Sequence, residues 1–220
     1  MISQPAHRLR TSLGMLLFAA ISTSLASCAW IQPPVASGDV LFQDDFSLPS
    51  SGWDRYQDET YEADYTGGVY RMQVFTRQTM VWSLPGVNLQ DVRIVVEAHA
   101  TAGTINNLFG TICRYENANN FDFFLVSSDG FVGIGQYKDG KRELLTDESL
   151  LPTDAIPDPN AWLTITSICK GDQLQLDING QTVAAARIQP VGHGDVGLLV
   201  GTYDEGGVTV QFDNLSVTLP

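Results

Sequence analysis

The stretch Gln173 to Gly180 constrains the fold more than any other part of the chain. Leu174, Leu176 and Ile178 alternate with Gln173, Gln175, Asp177 and Asn179, the period-two pattern of a strand that shows one face to an apolar interior and the other to water. Asn179-Gly180 then supplies two residues that accept positive φ in a tight hairpin, and Gln181 to Ile188 reads as the returning strand. The device recurs at Asp129-Gly130 and Asp139-Gly140, which divide Asn120 to Ser127, Phe131 to Tyr137 and Lys141 to Leu145 into an antiparallel meander. Further runs of strand character are Val40 to Phe46, Val69 to Phe75, Met80 to Leu84, Val92 to Ala100, Leu108 to Tyr115, Leu163 to Lys170, Val196 to Gly201 and Val208 to Val217. About a dozen strands at this spacing, with no helical period after Asp39, predict an all-β sandwich of two stacked sheets. Ser149 to Asn160, broken by Pro152, Pro157 and Pro159, is the longest irregular stretch and reads as a surface crossover or a binding loop.

The start of the chain belongs to export rather than to the fold. Arg8 and Arg10 precede an apolar core from Leu13 to Ile21, too short to span a bilayer as a stable helix. Its end, Leu25-Ala26-Ser27-Cys28, resembles the lipobox of bacterial lipoproteins. That resemblance implies cleavage before Cys28, lipid on its thiol, and a membrane partner on the extracytoplasmic side of the cell envelope, since several acyl chains anchor a protein stably. An ordinary secretory signal with Cys28 as an accidental thiol is the alternative. The expected division is therefore a signal peptide over 1–27, a Pro-containing spacer over 28–38 and one domain over 39–220. Removing residues 1–27 takes away Arg8 and Arg10 and no acid, so the formal charge of −13 becomes −15. Such a surface repels phosphate backbones, which excludes nucleic acid as the expected partner.

Cys113 and Cys169 are the remaining cysteines, and in an exported domain they are expected to form a disulfide. Zinc is the rival reading, but two thiols without neighbouring histidines make a poor site. No cofactor is implied by the sequence.

From Asp44 onward the chain resembles the concanavalin A-like lectin/glucanase superfamily, a jelly roll of two curved antiparallel sheets, and within it the laminin G-like and 3-keto-disaccharide hydrolase-like domains. The likeness rests on Asp44-Asp45-Phe46, Ser51-Gly52-Trp53, Phe109-Gly110, Cys113-Arg114-Tyr115, Asn120-Phe121, Leu174 to Gly180, Gly194-Asp195-Val196-Gly197-Leu198 and Phe212-Asp213-Asn214. It implies a fold far more sharply than a function, because that superfamily holds lectins, hydrolases and adhesive modules alike.

Glycan hydrolysis needs two carboxylates flanking one glycosidic bond. Glu62-Ala63-Asp64 begins the Glu-x-Asp pattern of the laminarinase type, but Tyr65-Thr66-Gly67-Gly68 follows and the second glutamate is missing. Glu62 and Asp64 are therefore expected in a solvated acidic turn with Asp58 and Glu59. There is no Gly-x-Ser-x-Gly elbow, and His99 and His193 stand without a second histidine at ligand spacing. Structural calcium is a candidate at Asp44, Asp45, Asp213 and Asn214 if the first and last strands pair, against the plainer role of capping those strands. For glycan binding, aromatic faces stack on sugar C–H surfaces beside polar groups that bond hydroxyls. Tyr70, Trp82 and Tyr137 are candidate platforms, as are Trp53 and Trp162, with Arg114, Asp122 and Gln136 as polar partners. Alternation places Arg114 opposite Phe109 and Cys113, so it is expected on the concave sheet. Three functions follow: a non-catalytic glycan- or ligand-binding lipoprotein, a glycoside-active enzyme of the 3-keto-disaccharide hydrolase type, or a structural or adhesive envelope module.

Overall fold

In the computed structural model, which describes residues 36–189 and 192–220, the alternating segments become strands. In chain order they are β1 (Val40–Asp44), β2 (Tyr56–Gln57), β3 (Tyr61–Thr66), β4 (Val69–Val74), β5 (Met80–Ser83), β6 (Val92–Ala102), β7 (Asn107–Asn117) and β8 (Asn120–Ser127). They continue as β9 (Phe131–Lys138), β10 (Lys141–Leu144), β11 (Leu151–Pro152), β12 (Leu163–Lys170), β13 (Gln173–Ile178), β14 (Gln181–Arg187), β15 (Asp195–Thr202) and β16 (Val208–Thr218). The expected signal peptide and Cys28 lie outside the described residues, as does the spacer up to residue 35.

A nine-stranded sheet runs β14-β13-β12-β6-β16-β4-β3-β2, with β1 also on β16. A seven-stranded sheet runs β10-β9-β8-β7-β15-β5, with β11 on β9. Every pairing is antiparallel. The chain passes repeatedly from one sheet to the other, which is the jelly-roll plan that the family resemblance implies.

The two inner faces meet in one core. Leu174, Leu176 and Ile178 lie in it, as their spacing predicts, opposite Phe124, Val126 and Ile134 of the second sheet. Each such side chain taken from water contributes roughly 1.5–3 kcal/mol. Cys113 on β7 and Cys169 on β12 are bonded, so the expected disulfide ties one sheet to the other. Beside it, the Thr111 and Ser167 hydroxyls bond at 2.6 Å across the same gap.

The turns at 139–140 and 179–180 are two-residue hairpins with positive φ at both positions, as read from the sequence. Asp129-Gly130 differs. Ser127 pairs with Phe131, which leaves a three-residue connection in which Gly130 alone is left-handed. A second correction concerns Glu62 and Asp64, which sit on β3 and not in a turn. They face outward, where Arg71 pairs with Glu62 and Arg55 pairs with Asp64 at 2.6 Å. The proline-rich stretch also contributes a short edge strand, β11, whose Leu151 pairs with Val132 of β9.

Candidate functional site

The outward faces of the two sheets differ in kind. On the nine-stranded sheet, outward positions carry Gln73, Thr164, Gln173 and Gln175, which are exposed or half-buried, as a solvated face requires. On the seven-stranded sheet they carry Leu108, Ile112, Phe121, Phe123, Leu125 and Leu199, all buried in a second apolar cluster separate from the inner core.

Glycines make that burial possible. Phe123 pairs with Gly135, Ile112 with Gly197 and Leu108 with Gly201, so each large side chain lies across a position without a side chain. A Cβ on Gly135 would stand 2.3 Å from the Phe123 ring, and one on Gly197 would stand 2.8 Å from the Ser83 carbonyl oxygen. With nothing beneath them, the large residues fold inward and the sheet curls. Trp82 on β5 and Phe121 on β8 are three strands apart, about 14 Å in a flat sheet; their ring centroids are 5.3 Å apart. This face is therefore concave, and Trp82, Tyr115, Phe121 and Tyr137 close over part of it.

Beside that aromatic cluster the face keeps a cavity of about 340 Å³ lined by Gln78, Thr79, Met80, Leu108, Tyr137, Arg142, Thr202 and Tyr203. Leu108 and Met80 form an apolar part, and Tyr137 and Tyr203 supply phenol rings. Tyr137 is fixed by stacking on Phe121 at 4.7 Å. The loop before β5 is fixed as well: the Thr202 hydroxyl donates to the Thr76 carbonyl at 2.8 Å and accepts from the Thr79 N–H at 3.1 Å. The Gln78 N–H donates to the Tyr203 carbonyl at 2.7 Å. Gln78 and Arg142 are exposed at the rim, and among the described residues their side chains make no hydrogen bond within the protein. The Tyr203 phenol is pushed up from its ordinary pKa by burial, with the Arg142 guanidinium acting in the opposite direction. Arg142 is thus close enough to act on the phenol.

Of the residues singled out from the sequence, Tyr137 lines this cavity and Trp82 belongs to the adjoining aromatic cluster. The others lie elsewhere. Tyr70 is wholly buried in the inner core, its hydroxyl bonded to Ser83 at 2.6 Å and to the Asp54 carbonyl. Gln136 points to the opposite side of β9, where its amide donates to Glu143 at 3.2 Å. Arg114 is 2% exposed and does not reach the concave face. The register of β7 against β8 shifts after Cys113, and Arg114 takes φ 53°. This bulge turns the side chain toward the interior edge, so simple alternation fails there. There Arg114 donates to the Gln90 carbonyl at 3.2 Å, to Asp91 at 3.2 Å and to the Gly171 carbonyl at 2.8 Å. Its Nη1 stands 3.6 Å from Asp122 Oδ2. Asp122 pairs with Cys113 and faces inward too, and burial pushes its carboxyl up to about 6 against the pull of Arg114.

Asp44, Asp45 and Asn214 do come together, around a separate depression of about 470 Å³ formed where β1 meets β16. Asp44 accepts from the Phe46 N–H at 2.8 Å and from the Ser51 hydroxyl, and Asp45 accepts from Ser47. Asn214 donates to Glu97 at 2.7 Å. Asp213 is raised above the ordinary carboxylate range, first by burial and then by Glu97, Asp45 and Asp44. These carboxylates thus hold the turns around them, and among the described residues no group of three or more His, Cys, Asp or Glu side chains is placed to hold a metal ion.

Comparison with known proteins agrees with the fold. No family model matches the chain, and no curated protein matches its sequence. Solved structures do match. A carbohydrate binding module, CBM66, from Bacillus subtilis superposes with a TM-score of 0.59 at 16% identity, covering 76% of this chain and 96% of that one. A protein of unknown function with a galectin-like fold, also from Bacillus subtilis, gives 0.60 at 9% identity over 83% and 97%. A Bacillus licheniformis beta-glucanase gives 0.58 at 13% identity over 84% and 100%. The chain therefore has the jelly-roll sandwich of the lectin and glucanase folds.

Met80, Gln78, Arg142 and Tyr203 were not singled out from the sequence. A signal for Tyr203 existed in Gly197-x-Leu199-x-Gly201-x-Tyr203, as one for Tyr137 did in Gly133-x-Gly135-x-Tyr137, whereas Gln78, Met80 and Arg142 carried none. Glycines on alternate positions of a strand mark a face over which neighbouring large side chains lie.

Proposed function

We propose that the protein is a non-catalytic glycan-binding module, lipid-anchored at Cys28 in a bacterial cell envelope, with the concave face of the seven-stranded sheet as its binding surface. One observation carries this reading. A cavity of about 340 Å³ combines two phenol rings with an uncommitted amide and guanidinium at its rim. That size suits a short saccharide, and aromatic faces beside convergent polar groups are what sugar recognition uses. The likeness in fold to a carbohydrate binding module supports it. Binding without turnover is favoured because no Asp or Glu lines the cavity, whereas glycosidic hydrolysis uses a carboxylate pair.

A glycan array tests the reading. Binding without product is expected, and Tyr203→Ala and Tyr137→Ala should each abolish it, with circular dichroism verifying that each variant still folds. Retained binding in both variants, or release of product, would remove this function from the cavity. Anchoring is tested separately by mass spectrometry of the exported protein, where Cys28→Ser is expected to release it from the membrane fraction. Calcium at Asp44, Asp45, Asp213 and Asn214 remains a separate proposal, which an unchanged melting temperature with calcium and with chelator would overturn.

A further inference from the structure

The described part of this chain is rich in acids, and its arginines are mostly matched to them. Arg55 pairs with Asp64, Arg71 with Glu62, Arg114 with Asp91 and Arg187 with Asp172. Arg77, Arg93 and Arg142 have no such partner among the described residues, and of these three Arg142 is the one at the cavity on the curled sheet. The nearest acid in sequence, Glu143, is kept away by strand alternation, because it turns to the other side of β10 and accepts from Gln136 at 3.2 Å. Asp129, which acts on Tyr203, is held by the Ser127 hydroxyl. A guanidinium without an ion-pair partner beside two phenols, at the mouth of a cavity of this size, is placed to receive an anion from outside.

We propose that the saccharide bound in this cavity carries one negative group, a uronate carboxylate or a sulfate ester, seated on Arg142 between Tyr137 and Tyr203. The inference rests on the reading of the cavity as a glycan site and narrows its ligand. The formal charge, −13 for the whole chain and −15 without residues 1–27, narrows it further. A long polyanion is repelled by the molecule as a whole, whereas a single anionic group on a short or terminal saccharide meets only the local field of Arg142. The class is therefore an acidic mono- or disaccharide unit rather than an acidic polymer.

Isothermal titration with three probes tests this: a disaccharide of glucuronic acid and a neutral sugar, the methyl ester of that disaccharide, and a neutral disaccharide bearing one sulfate. The acid or the sulfate is expected to bind roughly ten- to a hundredfold tighter than the ester, the range of a charge-assisted hydrogen bond. Arg142→Gln should collapse that ratio toward one. Preference for the acid over the sulfate, or the reverse, identifies the source of the charge. Equal affinity for acid, sulfate and ester, or a loss in Arg142→Gln that is the same for all three, overturns the inference while leaving the glycan reading in place. If no saccharide, charged or neutral, binds in a manner that depends on Tyr203, both are overturned. Arg142 is exposed, so the variant is expected to fold, and an unchanged melting temperature verifies this.

Discussion

The outward faces of the two sheets were built by opposite rules. The nine-stranded sheet alternates as an antiparallel sheet in water should, and it meets solvent with Gln73, Gln173, Gln175 and surface ion pairs such as Arg187 with Asp172. The centre of the seven-stranded sheet is buried on both sides: every residue of β8 from Phe121 to Ser127 is withdrawn from water. An apolar face that is not part of the inner core costs solubility unless it closes on itself or on a ligand. Here it does the first over most of its area, through large residues laid over glycines, and leaves a polar-rimmed cavity for the second. On the proposed reading, the nine-stranded sheet serves stability and the curled one carries the binding surface.

The largest expected effect comes from cutting the tie between the two sheets. The double variant Cys113→Ala/Cys169→Ala should lose about 4 kcal/mol by the chain-entropy relation for a bridge of 56 residues' separation. Denaturant unfolding measures it. A loss near zero would mean the sheets are held together by packing alone.

The second effect is a pH dependence at the end of β7 and β8, where the curled sheet meets its partner. Burial holds the Asp122 carboxyl at about 6, above its ordinary value, so between pH 4 and 6 the folded protein binds more protons there than the unfolded chain does. This group's contribution to stability therefore falls as pH rises through that window, by up to about 3 kcal/mol, and is constant above it. Asp122→Asn should remove that fall. Unfolding curves of wild type and variant at pH 4 and 7 that differ by the same amount would contradict it.

Next in size is Gly135→Val. The added side chain would displace Phe123 and press on the Glu143 carbonyl, at a cost of about 2 kcal/mol from overpacking. Because Phe123 supports Phe121 and Tyr137, glycan binding should weaken as well. On the opposite sheet, Arg187→Gln removes only an exposed ion pair with Asp172 and should cost less than about 1 kcal/mol. Similar losses in the two variants would erase the contrast between the faces.

Legibility in the sequence followed the same divide. Strands with one wet face, such as β13, could be read residue by residue, and the hairpins at 139–140 and 179–180 announced themselves through their turn dipeptides. The β3–β4 hairpin was missed although Tyr61, Ala63 and Tyr65 alternate with polar residues and Gly67-Gly68 closes it with two positive φ angles. The acids of β3 disguised its outward face as a turn. In the curled sheet the fold was legible and the site was not. Where both faces are apolar, alternation no longer tells which side an aromatic such as Phe123 or Tyr137 takes; Tyr70, on β4 of the other sheet, was misjudged although Tyr70, Met72 and Val74 alternate with Arg71 and Gln73 and so mark it as core. Arg114 was misplaced for a local reason, since one bulge residue reverses every later side chain on its strand.

Amide chemical-shift mapping during titration with a saccharide taken from the array bears most directly on the concave face. The largest shifts are expected at Gln78 to Met80, Tyr137, Arg142, Thr202 and Tyr203, with the outward face of the nine-stranded sheet unmoved. Shifts centred on Gln173, Gln175 and Arg187 instead would contradict the assignment of binding to the curled sheet.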